Sequence, residues 1–207
     1  MSIRSAAVPE SIKDLAAREA GAMRRAFRTS DKLAVDRAGG PAMTLGDVFP
    51  VYYLPHEQLS ADASAADAQQ VGWRCLMTEG SEPGTVDVRG DKGAEHVAAV
   101  TLGRGAVILT AARAAAERAV AISGPYEARI LEFGRAGPGA LWLHSGQGDD
   151  HFFALDDFTP RELTEREVIG AAAHTADLLR RAYPPRRGDG GAAFTTVNED
   201  EADDLGG

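Results

Sequence analysis

Residues 125–155 read PYEARILEFGRAGPGALWLHSGQGDDHFFAL, and this stretch decides the fold class. Tyr126, Ala128 and Ile130 alternate with Glu127, Arg129 and Leu131 through to Phe133. A period of two places successive side chains on opposite faces of a strand. The glycine-rich run Gly134 to Gly139 ends it. Ala140 to His144 predicts a second strand, with Leu141 and Leu143 opposite Trp142, and Ser145 to Asp150 a polar hairpin loop. His151 to Leu155 is the returning strand, so the whole stretch predicts an antiparallel meander.

Upstream, Val71 to Met77 predicts a strand with Trp73, Cys75 and Met77 on one face. Pro83 and Gly84 mark a turn, Thr85 to Arg89 returns, and His96 to Leu102 makes a third strand. Val48 to Leu54 is a further strand, and Pro50 within it predicts an edge position or a bulge. Ser60 to Gln70 reads as a short helix capped by Ser60, or as a loop.

Three segments carry helical spacing. Ser11 to Phe27 has Ile12, Leu15, Ala16, Met23 and Phe27 on one face, with Ser11 and Asp14 placed for a capping box. Ala106 to Ala121 is alanine-rich and offers Val107, Ile108, Ala111, Ala115 and Val120 for burial. A last helix starts after Thr164, with Glu167 completing its capping box and Val168, Ala172, Leu179 and Tyr183 as its stripe. Pro184 and Pro185 end it.

The order of elements predicts an α+β fold, mainly antiparallel sheet in two three-stranded units, with helices packed on one face. It also hints at a duplicated unit in which Trp73 and Trp142 occupy comparable strands. The chain divides into an N-terminal helix and connection (1–46), an α+β core (47–185) and a tail (186–207). The tail is acidic from Asn198 onward and almost without large apolar groups, so it is expected to be disordered.

With 44% apolar and 26% charged residues, the 207-residue chain can bury a core. The net charge of -9 argues against non-specific nucleic-acid binding, which rests on neutralising phosphates. Lys13, Lys32 and Lys92 are the only lysines, and with the abundant alanine and glycine this suggests a GC-rich bacterial source. The single cysteine, Cys75, excludes an intrachain disulfide and fits a reducing cytoplasm. No signal peptide is expected from residues 1–10, and no apolar run is long enough to span a membrane.

The strongest local cluster of chemical groups is His144 to His151. Two histidines flank one hairpin, where they could face each other across the ladder, with Asp149 and Asp150 nearby. Imidazole and carboxylate suit zinc or another divalent ion, so His144, His151 and Asp149 are the candidate metal ligands. Cys75 lies in an apolar strand and reads as structural. Gly103-Arg104-Gly105 has the strand–turn–helix order of a phosphate-binding loop without its full fingerprint, and reads as a tight turn. The terminal Gly206-Gly207 resembles the ends of ubiquitin-like modifiers and sulfur carriers, which implies conjugation through that end.

A patterned fold without a dense polar site predicts a non-enzymatic accessory protein within a larger assembly. Its partner is expected on the first helix or a sheet edge, and no cofactor is expected. The alternatives are a metal-dependent hydrolase using the His144/His151 hairpin and a modifier-like protein using Gly206-Gly207.

Overall fold

The structure, a computed structural model, describes residue 3 and residues 6–19, 43–60, 62–79, 82–120 and 126–183. Residues 20–27 of the expected first helix, the expected disordered tail and Gly206-Gly207 lie outside the described residues.

Eight strands form one sheet: β1 (Met43–Tyr53), β2 (Gln69–Glu79), β3 (Glu82–Arg89), β4 (His96–Leu102), β5 (Glu127–Glu132), β6 (Ala140–His144), β7 (His151–Ala154) and β8 (Glu162–Leu163). Their spatial order is β4-β3-β2-β1-β5-β6-β7-β8, antiparallel throughout except for the central parallel pair β1–β5. Three helices accompany them: α1 (10–19, where its described stretch ends), α2 (Arg104–Ala119) and α3 (Glu165–Ala182). The fold is α+β, as expected.

The two predicted three-stranded meanders are present as β2-β3-β4 and β5-β6-β7, but each gains a strand and the two fuse. The element order is therefore four strands and a helix, twice, with Trp73 and Trp142 each in a second strand. β8 was not legible in the sequence, because a two-residue strand carries no period.

The helices do not share one face. Ala128, Ile130, Leu141, Leu143 and Phe153 pack with Leu109, Ala112 and Ala116 of α2. The alternate residues Leu131, Phe133, Trp142 and Phe152 pack with Val168, Ile169, Ala172 and Ala176 of α3. Val48, Cys75, Met77, Val86 and Val88 receive Ile12 and Ala16 of α1, on the side away from Phe49 and Val51. The strands are apolar on both faces, so both must be covered. α2 covers one; α1 and α3 cover the other.

Several local expectations change in three dimensions. α1 begins at residue 10, and the Ile12 amide bonds to the Pro9 carbonyl, so Ser11 lies inside the first turn rather than capping it. β1 is internal, not an edge. Bulges flank Pro50 on both sides, and pairing with β5 is confined to Val51–Tyr53, which leaves the Pro50 half of the strand bonded to β2 alone. The short helical element after residue 60 is a 3-10 turn at Ala65–Asp67, capped by Ser64 rather than Ser60. In α2 the buried face is Ala106, Ile108, Leu109, Ala112 and Ala116, while Val107 is 37% exposed. The Thr164–Glu167 capping box forms as expected. The stripe of α3 ends at Ala176, because the helix outruns the sheet and leaves Tyr183 exposed.

Candidate functional site

The register of the β6–β7 hairpin decides what its histidines can do together. His151 is paired with Leu143, whereas His144 is paired with Glu127 on β5. That offset of one residue sends the two imidazoles to opposite faces of the sheet. His144 stands with Trp142 on the α3 side, and His151 stands with Tyr126 on the α2 side.

Each imidazole has its own carboxylate. His144 Nδ1 lies 2.9 Å from Asp150 Oδ2, and His151 Nδ1 lies 2.6 Å from Glu162 Oε1. His151 Nε2 is 3.3 Å from the Tyr126 hydroxyl. Asp149, the carboxylate expected to join the histidines, contributes its backbone N–H to Ser145 Oγ instead. Among the described residues no group of three His, Cys, Asp or Glu is placed to hold one metal ion.

Asp150 organises the loop. It accepts from the Trp142 indole N–H at 2.7 Å and from the Ser145 backbone N–H at 2.9 Å. Its burial by itself raises the carboxyl pKa, but the hydrogen bonds from His144, Ser145 and Trp142 outweigh that and hold it below the ordinary range. A depressed carboxylate stabilises the fold above its unfolded pKa, and the contribution is lost as pH falls through the lower folded value. Asp150→Ala is therefore expected to cost about 2 kcal/mol at pH 7, because it orphans a buried indole N–H. In urea melts at successively lower pH, the gap to the wild type should narrow on acidification below about pH 4. A gap that is constant down to acid pH would show that the carboxylate charge plays no part.

Cys75 is fully buried in the α1-side core, and burial followed by the nearby Asp87 pushes its pKa up to about 11. It is a packed thiol without the cationic setting a nucleophile needs. Gly103 starts α2 with φ 89°, a backbone state that suits glycine, and no side chain caps the helix there.

The densest charged constellation is one that sequence reading missed. On the α2 face, Arg74 donates Nε and Nη2 to the two oxygens of Asp87, each at 2.6 Å. Arg74 Nη2 also lies 2.8 Å from Glu132, whose other oxygen accepts from Arg89 Nη2 at 2.8 Å. Arg74 and Asp87 are direct cross-strand partners. Arg89 reaches Glu132 across the place where β2 carries Gly72 and hence no side chain. These side chains are only 14 to 23% exposed. Burial lowers the Arg74 pKa, yet its bonds to Asp87 and Glu132 raise it further, so the guanidinium stays charged. The residues are 74, 87, 89 and 132, which no spacing rule links; alternation does put Asp87 and Arg89 on one face, and only the register adds the other two.

A cavity of about 220 Å³ lies between this network and the start of α2. At the sheet edge nearby, β4 pairs with β3 alone among the described residues. Leu102, Val107 and Phe158 are exposed around it, and Arg104 stacks 5.0 Å above the Phe158 ring. No helix among the described residues is long and apolar enough to cross a membrane.

Compared with known proteins, the chain matches no family model, no curated protein and no solved structure.

Proposed function

We propose that this chain is a non-enzymatic accessory protein of the bacterial cytoplasm that works inside a larger assembly by accepting one strand of a protein partner along β4. The observation that carries the reading is the edge itself. Seven residues, His96–Leu102, form the last strand on that side, paired among the described residues to β3 only. An unpaired strand edge offers a row of backbone donors and acceptors to another chain. Natural edges are commonly blocked by lysine, proline or inward charge. Val97 to Leu102 contains none of these, its one irregularity is the bulge at Ala98, and Leu102 is 48% exposed at its end. The opposite edge, β8, is two residues long and includes Glu162. The occupant that fits is an extended, uncharged segment rich in β-branched residues, because a charge there would be desolvated without a partner.

Ala98 is the place to test this. The β3–β4 register passes from Val97–Val88 to Ala99–Asp87, so exposed Ala98 is the extra residue of a bulge. Ala98→Lys adds an edge charge without displacing a ladder pair. Partners recovered by the wild-type chain are expected to be lost with this variant, while its unfolding midpoint is unchanged. Binding should also slow amide exchange in 96–102. Equal recovery of the same partners by the variant, or exchange protection elsewhere only, defeats the proposal.

A further inference from the structure

On the reading of β4 as a strand-accepting edge, we infer that the strand it accepts is β4 of a second copy of this chain, joining two molecules across a two-fold axis into one continuous sheet. The occupant that suits the edge is an extended, uncharged, β-branched segment, and β4 is itself such a segment. Residues His96–Leu102 contain no lysine, arginine, aspartate or glutamate, and Val97, Val100 and Thr101 are β-branched.

A two-fold axis normal to the sheet makes the two edge strands antiparallel and carries each face unchanged into the second copy. The edge must then complement itself, and β4 does. Ala99 and Thr101 stand on the α2 side, paired with Asp87 and Thr85 of β3. Val97 and Val100 both pack on the other side, with Val86 and Val88. The extra residue Ala98 makes this possible, because it takes up one step of the alternation. Leu102 joins them over Gly84, beside Met77. Their own chain covers these three only in part: Val97 and Val100 are half-buried and Leu102 is exposed.

With Val100 on the axis, every other neighbour follows. Val100 meets Val100 of the partner subunit, Ala99 meets the partner's Thr101 and, past the bulge, Val97 meets the partner's Leu102. The members of each pair share a face, and cross-strand pairs of this kind are the unit of sheet stabilisation. The charged residues just outside the strand obey the same register, which brings Glu95 beside the partner's Arg104. Within one molecule Glu95 accepts the Gly93 backbone N–H at 2.8 Å and Arg104 stacks 5.0 Å from the Phe158 ring, and neither has an ionic partner among the described residues. Two-fold pairing gives each of them an opposite charge at both ends of the joint. Parallel pairing would set like charge beside like charge.

Sedimentation equilibrium of the full chain tests this. The wild type is expected to dimerise with a Kd on the order of 100 μM or tighter, and amide exchange in 96–102 should slow as its concentration rises. Glu95→Arg and Arg104→Glu should each weaken self-association about ten-fold, the effect of turning two cross-strand charge pairs to repulsion. Mixed in equal amounts, the two variants should recover the wild-type affinity, because each then meets the opposite charge at both ends. Ala98→Lys should abolish the dimer. A wild type that stays monomeric at about 1 mM overturns the inference. If its recovered partners are still lost with Ala98→Lys, the proposed function stands without it. A mixture that associates no better than the separate variants, or a dimer that Ala98→Lys leaves intact, overturns it as well.

Discussion

Arg74→Met is expected to lower the unfolding free energy by about 3 kcal/mol, the lower end of what breaking a buried ion pair costs. Arg74 is the group that Asp87 and Glu132 share, at 2.6 and 2.8 Å. Methionine fills much the same volume but leaves two carboxylates facing each other beneath α2, with only Arg89 near. Their side chains keep 14 and 23% of their exposure, so water relieves part of the penalty and the upper end is not reached. For a domain of this size the loss corresponds to about 6 to 12 °C in Tm. Urea denaturation of the variant beside the wild type measures the loss. A change under about 1 kcal/mol, as for an exposed surface pair, would mean that the network is solvated and adds little to stability.

Gly72→Ala should be as damaging for a different reason, by at least about 3 kcal/mol. A Cβ at Gly72 would collide with the Val88 carbonyl oxygen, a main-chain atom that cannot move aside without opening the β2–β3 ladder. It would also press on Arg89 Cδ, displacing the side chain that crosses this gap to reach Glu132. One methyl group thus strikes both the sheet and the charge network. Gly46→Ala is the control. There the added carbon sits 3.7 Å from its nearest neighbour, ordinary contact distance, and a change below about 1 kcal/mol is expected. Urea denaturation of the two variants side by side checks the contrast; equal stabilities would refute the close-approach argument.

The α+β class, most strand positions and the capped start of α3 were legible because they rest on local period and local hydrogen bonds. Leu141 and Leu143 do oppose Trp142, and Thr164 and Glu167 do cap each other. The burial of Cys75 followed from its place in an apolar strand. The readings that changed were those needing a neighbour from far along the chain. Pro50 suggests an edge or a bulge; bulges do flank it, but β1 is internal, because β5, which begins at Glu127, pairs beside its Val51–Tyr53 end. The helical reading offers Val107 for burial and not Leu109, yet the sheet takes Leu109 and leaves Val107 exposed. His144 and His151 looked like a facing pair until the ladder offset them by one residue.

By itself, then, the amino-acid sequence determined most of the longer strands and helices, since alternation, helical spacing and capping act within a few residues. Tertiary structure alone decided which side chains meet. Strand register is set by the packing of both faces at once, and a shift of one residue exchanges every partner. That register separates the two histidines, gathers Arg74, Asp87, Arg89 and Glu132 from three strands, and puts β4 last in the strand order of the described residues.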